Sequence, residues 1–314
     1  MKGLGGADLG ALACPISGEA LELHGDTLVS CSGKHRYPLH LGRIPLFAEE
    51  PDRAEAVRQM HHYDRIATTY LESQGYPHTL EYNAYLDRVF LEVLGDGNLG
   101  RTAELCCGDG EALALLSDRI DEGVGVDISL SMLEHAATRL PETILAQADA
   151  TQLPLADAAF DHIVMFGGIH HVADRRSLFR EVSRVLRPGG RFLWREPLDD
   201  FWLWRALRSV VYRVSPELDH ETERPLRYNE TAPPLAEAGL QLETWRSCGF
   251  LGFCLLMNSD VLVVNRLLRF LPGIRALTRA AARFDEACVQ RLGPKHLGLQ
   301  VVGSAVNQLY CADS

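Results

Sequence analysis

The sequence predicts an α/β fold built on a doubly wound, mainly parallel sheet, and three observations lead there. Short apolar segments alternate with helical stretches between about residues 101 and 196, the order that a parallel sheet with helical crossovers requires. The first of these segments runs into a glycine-rich turn, Glu104-Leu105-Cys106-Cys107-Gly108-Asp109-Gly110. The second ends on a lone acid, Asp127, about twenty residues further on, as a ribose-binding acid would.

Taken in order, residues 1–50 read as a small β module of short strands and turns. Cys14-Pro15, Cys31, His35-Arg36-Tyr37-Pro38 and Gly42-Arg43-Ile44-Pro45 resemble a zinc ribbon whose hooks are incomplete. Ser17 stands where the first hook wants a second cysteine, and Lys34 or His35 where the other does. A tetrahedral site needs four good ligands. Cys14, Cys31 and His35, with His24 or His40, could still hold a metal, but the module is read as a degenerate ribbon kept for packing, without zinc. Residues 51–95 read as a helical cap over the core. Tyr63 and Tyr70, seven apart, share one face of that helix. A cofactor contact and an ordinary core stripe both fit them.

The core, residues 96–197, is expected to place strands near 101–106, 123–127, 143–147, 161–167 and 190–196, with helices near 111–119, 129–139 and 174–187. Ligands of such sheets gather at the carboxyl ends of the strands. Cys107, Asp127, Asp149 and Phe166 all fall on that edge. The glycine turn lets a ligand approach the main chain closely, because Gly108 and Gly110 carry no Cβ and tolerate positive φ. Its spacing, ExCxGxG, departs from the GxGxxG that cradles a pyrophosphate. Glu104 and Asp109 would repel such a group and attract a cationic one. The turn thus favours S-adenosylmethionine, which carries an ammonium and a sulfonium, over NAD.

These residues together resemble the class I S-adenosylmethionine-dependent methyltransferases, in particular the UbiE-like small-molecule enzymes. ELCCGDG resembles their first motif, Val124-Gly125-Val126-Asp127-Ile128-Ser129 the second strand with its acid, and Ala148-Asp149-Ala150 the segment beside the adenine. Phe160 to Met165 resembles their fourth strand and Arg184 to Gly190 the loop before the fifth. The resemblance implies a seven-stranded Rossmann-like sheet with helical cap insertions. It also implies S-adenosyl-L-methionine as cofactor and S-adenosyl-L-homocysteine as product. The residues it assigns to the cofactor are Tyr63, Tyr70, Glu104, Cys106, Gly108, Asp109, Gly110, Asp127, Ile128, Met132, Asp149, Ala150 and Phe166. His170 and His171 follow the fourth strand, where a neutral imidazole could take a proton from a methyl acceptor. Packing is the alternative role for that pair.

Residues 198–314 are expected to supply a substrate cap and the last two strands, near Leu240–Ser247 and Gly298–Asn307. Asp199 to Pro234 carries Trp202, Trp204, Tyr212 and Tyr228 and ends in a Pro233-Pro234 turn. Roughly fifty residues separate the two strands, far more than a hairpin needs, so helices are expected there. Within them Arg266, Arg269, Arg275, Arg279 and Arg283 occur with no acid between Val261 and Phe284. Peripheral membrane contact through 258–285, the wall of an apolar pocket, and a packed helical pair with solvated arginines all fit this pattern.

Bulk properties narrow the function. A chain of 314 residues with formal net charge −11 repels nucleic acid as a whole. The eight cysteines form no regular framework and no signal peptide or spanning run is seen, so a reducing cytoplasm is expected. The reading is a methyltransferase acting on a small, apolar or amphipathic acceptor by in-line displacement. The alternatives are an RNA methyltransferase using the ribbon-like module, and a noncatalytic partner subunit that keeps the fold.

Overall fold

The computed structural model describes residues 4, 9–48, 53–201, 204–205, 224–257, 265–292 and 297–308. The N-terminal module is a four-stranded antiparallel meander of β1 (Leu21–His24), β2 (Thr27–Ser30), β3 (Arg36–His40) and β4 (Ile44–Pro45). Its ribbon-like residues stay apart. Cys14 is buried with its Sγ 3.1 Å from the Tyr37 hydroxyl, whereas Cys31 is exposed. His24 and His40 turn to Glu22 and Glu134. Among the described residues, no group of three or more metal-ligating side chains forms.

Two helices follow, α1 (Ala54–Gln74) and α2 (Pro77–Leu94). The chain breaks between them at Gly75 and Tyr76 because Pro77 opens the second helix, where its missing N–H costs nothing. The main sheet contains β5 (Arg101–Leu105), β6 (Glu122–Asp127), β7 (Ile144–Gln147), β8 (Phe160–Phe166), β9 (Leu186–Pro197), β10 (Leu240–Cys248) and β11 (Gln300–Asn307). Its order is β10-β11-β9-β8-β5-β6-β7, with β11 antiparallel to both neighbours and the other six strands running in one direction. Crossovers are made by α3 (Glu111–Leu115), α4 (Leu130–Arg139) and α5 (Arg175–Val185). The predicted helix 111–119 is shorter than expected. A separate 3-10 turn, Ser117–Arg119, swings the Arg119 guanidinium onto the carbonyls of Gly95 and Gly97. The strand expected at 190–196 begins earlier, at Leu186, which pairs with Phe160 before the register shifts.

Alternate residues of each strand face opposite sides of the sheet, and two cores result. Ile163, Met165, Phe192, Trp194, Val301 and Ala305 pack with α5 and with module residues such as Leu12 and Leu28. Val164, Leu193 and Val302 face the other way, against Tyr82, Leu86 and Phe90 of α2. Gly303 lies across the Trp194 indole so closely that a Cβ there would meet the ring at 2.2 Å. The module joins the first core by covering an edge. Leu46 pairs in parallel with Gln147 at the end of β7, and Leu12 pairs with Leu155. An edge strand that would otherwise expose unpaired amides is thereby closed.

The remaining helices are α6 (Tyr228–Glu237), α7 (Leu251–Leu256), α8 (Asn265–Leu268) and α9 (Ile274–Leu292). Pro233 and Pro234, expected to form a turn, instead lie inside α6. The carbonyls that lose donors to them belong to Asn229 and Glu230, both exposed, so water replaces the missing bonds. The insertion between β10 and β11 is helical, as expected. Trp202, Tyr212 and the stretch Asn258–Val264 lie outside the described residues. No helix among the described residues is long and apolar enough to cross a membrane.

Candidate functional site

The carboxyl edge of β5, β6 and β8 opens into a crevice closed on one side by α1. Its floor is the turn after β5. Cys106 holds φ 50° and Gly108 φ 52°, values that favour glycine. The turn ends with Gly110 at the N-cap of α3, φ 81°, where a Cβ would strike Leu140.

A closed helix start must satisfy its first amides. Glu104 does this for α3: its carboxylate accepts from Ala112 N–H at 3.0 Å and Leu113 N–H at 2.9 Å. Burial pushes Glu104 up to about 8, while the amides of Leu113 and Ala112 pull it down. Asp127, at the end of β6, accepts from Gly108 N–H at 2.7 Å on one oxygen and from Ser129 N–H at 2.8 Å on the other. Burial raises its pKa despite these bonds. Ser129 caps α4 by accepting from Met132 N–H and donates its hydroxyl to Asp64 of α1 at 2.5 Å. The helix over the crevice is thus tied to the turn beneath it. Asp149 is organised likewise, with Thr151 N–H and Oγ1 on one oxygen.

The far wall follows β8. Phe166 stands edge-on to Phe90, and the Arg195 guanidinium lies 4.1 Å over its ring. Beyond it His171 Nε2 is 2.7 Å from the Tyr63 hydroxyl, and Tyr63 meets Tyr70 edge to face. Burial, with the neighbouring His170, holds His171 well below the ordinary histidine value. His170 turns the other way, its Nδ1 2.8 Å from Glu196. Glu196 is fully buried and also accepts from the N–H groups of Gly168, Ile169 and His170.

A family model described as a methyltransferase domain matches residues 103–194. A demethylmenaquinone methyltransferase of Beutenbergia cavernae is 31% identical over 176 residues, 52% of this chain and 72% of that protein. The chain belongs to the class I S-adenosylmethionine-dependent methyltransferases. A second relative of the enzyme, 27-O-demethylrifamycin SV methyltransferase of Amycolatopsis mediterranei, is 32% identical over 46% of this chain. There the methyltransferase spans only 55% of the relative's length. An S-adenosylmethionine-dependent methyltransferase structure from Thermotoga maritima shares the fold with TM-score 0.52 at 19% identity, over 79% of this chain and 98% of that one.

The residues of the crevice suit this cofactor. Gly108 presents bare backbone, with only the Met132 methyl near its missing Cβ, and Asp127 is a carboxylate already fixed by two amides. Of the residues predicted to bind it, Tyr63, Tyr70, Glu104, Cys106, Gly108, Asp109, Asp127, Ile128, Met132, Asp149, Ala150 and Phe166 line this one crevice of the methyltransferase, together with His171. Gly110 and His170 do not line it: the first starts α3 and the second is turned to Glu196. Glu104 and Asp109, expected to attract a cationic ligand, also have partners within the protein. Both Glu104 oxygens are taken by α3, and Asp109 pairs with Arg139 at 2.6 Å. The sequence reading missed Gln59, Thr151 and Asp174 on the rim, and Glu196 behind it. Glu196 had a usable signal, an acid ending a strand on the same edge as Asp127.

Proposed function

We propose that the crevice binds S-adenosylmethionine and methylates a small apolar or amphipathic acceptor. The observation that carries the reading is Asp127 held across the Gly108 turn by two backbone donors. A carboxylate so fixed is ready to accept from ribose hydroxyls without reorganising. Asp149 and Ala150 are assigned to the adenine edge in this reading, and Tyr63 and Tyr70 to the methionine end, all four lining the same crevice. When bound, the cofactor supplies an electrophilic methyl group on a sulfonium.

The chain's own part is to orient and to exclude water. Residues 51–95 and 198–314 act in this reading as covers for the core 96–197, and α1 is latched to the crevice by the Asp64–Ser129 bond. A desolvated nucleophile aligned with the methyl needs little further help. His171 is the base where one is needed: burial keeps it neutral, and its Nε2 is oriented by Tyr63. The apolar acceptor follows from the wall of Phe166, Val172 and Ala173 and agrees with the names of the relatives, one a quinone methyltransferase and one acting on a rifamycin.

Calorimetry with S-adenosylhomocysteine tests the assignment. Asp127→Ala is expected to weaken binding by at least about tenfold, an energy typical of a lost charge-assisted hydrogen bond, with the fold retained by circular dichroism. Undiminished affinity would remove Asp127 from the site.

A further inference from the structure

We propose that the outer face of the α8–α9 hairpin docks this protein on an anionic lipid surface. The proposal does not depend on which acceptor is methylated. Exposed apolar side chains concentrate here: Leu267 is 65% exposed, Phe270 70% and Phe284 53%, with Leu271 and Leu277 beside them. Helix α9 buries Ile274, Thr278, Ala282, Asp285 and Val289, a single stripe at helical spacing. Leu277, Ala280 and Phe284 form a second row at spacings of three and four, outside that stripe. Arg275, Arg279 and Arg283 form a third row four residues apart, all exposed. The cationic row and the apolar row therefore lie on opposite flanks of the buried stripe, roughly 100° and 125° from it around the helix, and both face away from the core.

Charge decides the partner. The protein carries net −11, yet the stretch from Val261 to Phe284 holds five arginines and no acid. Two of the five are used internally, Arg269 with Glu72 and Arg279 with Glu81. Arg266, Arg275 and Arg283 have no ion-pair partner among the described residues. A helix with phenylalanine and leucine on one outer flank and arginine on the other lies in a membrane interface, and each arginine adds attraction to anionic headgroups. The length and apolarity for crossing are lacking, so the contact is peripheral. The hairpin also touches the catalytic side: Arg269 reaches Glu72 of α1 and lies 4.8 Å over Tyr76. Docking here sets a lipid surface beside the helix that carries Tyr63 and Tyr70.

The full chain is sedimented with vesicles of phosphatidylcholine alone and of phosphatidylcholine with phosphatidylglycerol. Binding is expected only to the anionic vesicles and to weaken as salt screens the arginines. The exposed double variant Phe270→Asp/Phe284→Asp and the charge reversal Arg275→Glu/Arg283→Glu should each lose at least about tenfold in vesicle affinity, with melting temperature and S-adenosylhomocysteine binding unchanged. Equal binding to both vesicles, no binding, or variants that bind like the parent chain overturns the proposal. So does a dimer in analytical ultracentrifugation that Phe270→Asp/Phe284→Asp dissolves, which gives the face to a second copy.

Discussion

His171 and Tyr63 meet at 2.7 Å inside the crevice, where burial and the neighbouring His170 hold the imidazole below its ordinary pKa. Because burial lowers the His171 pKa, its neutral form persists on acidification past the point where an exposed histidine would charge. Turnover is therefore expected to stay flat as pH falls from about 8 to 6, the range in which an ordinary histidine near 6.5 would titrate. His171→Gln should lower kcat by roughly a hundredfold, the lower end for a lost general base, while S-adenosylhomocysteine affinity holds. An unaltered kcat would assign His171 to packing. Cys106 is the other residue whose setting is unusual. At φ 50° it occupies a position suited to glycine, and its Cβ fits because Gly168 opposite has none.

At the scale of elements, the donor crevice is braced from outside by the N-terminal module. The Arg43 guanidinium donates to the carbonyls of Ala137 and Leu140 at the end of α4 and to that of Thr143 beyond it. Terminal helix carbonyls lack internal partners and carry partial negative charge, so this one side chain finishes the helix and anchors the module. Gln147 adds a second brace, its amide donating to the carbonyls of Ala48 and Ile128, and Ile128 lines the crevice. Arg43→Ala is expected to destabilise the chain by about 2–3 kcal/mol, the cost of charged hydrogen bonds lost to buried carbonyls. Urea unfolding measures it, and a midpoint unmoved from the parent chain would show that the module rests on its apolar contacts alone.

Across the whole molecule, buried carboxylates set the response to pH. Glu104 is raised to about 8 and Glu196 to about 7, both chiefly by burial. An unfolded glutamate ionises near 4.5. Above that value the native state holds protons that the unfolded chain has released, so stability falls as pH rises through the folded values. The depressed histidines act in the opposite sense, but only while the unfolded ring still titrates near 6.5. Above about pH 7 the carboxylates are left to act alone. The melting temperature is thus expected to drop between about pH 7 and 8.5, and Glu104→Gln should flatten that slope by removing the proton Glu104 loses there. A slope unchanged in Glu104→Gln would mean that the α3 amides keep Glu104 ionised throughout. The acidic net charge of the chain works in the same direction, since self-repulsion grows as protons leave.

Where local chemistry dictates structure, the sequence alone was enough. The parallel core came from short apolar runs and their crossovers, and the crevice from a glycine turn and an acid at neighbouring strand ends, because backbone freedom and strand polarity are properties of nearby residues. The helical insertion was legible from its length, though Pro233-Pro234 was misread, since only the exposure of Asn229 and Glu230 lets a helix run through two prolines. Tertiary structure decided the rest. It spent Glu104 and Asp109 on α3 and Arg139, turned His170 to Glu196 and His171 to Tyr63, and laid the module along β7. Except for Glu104 with α3, these are pairings between groups far apart in the chain. Which partner a buried polar group takes depends on what the fold brings within 3 Å, and no periodicity or spacing encodes it.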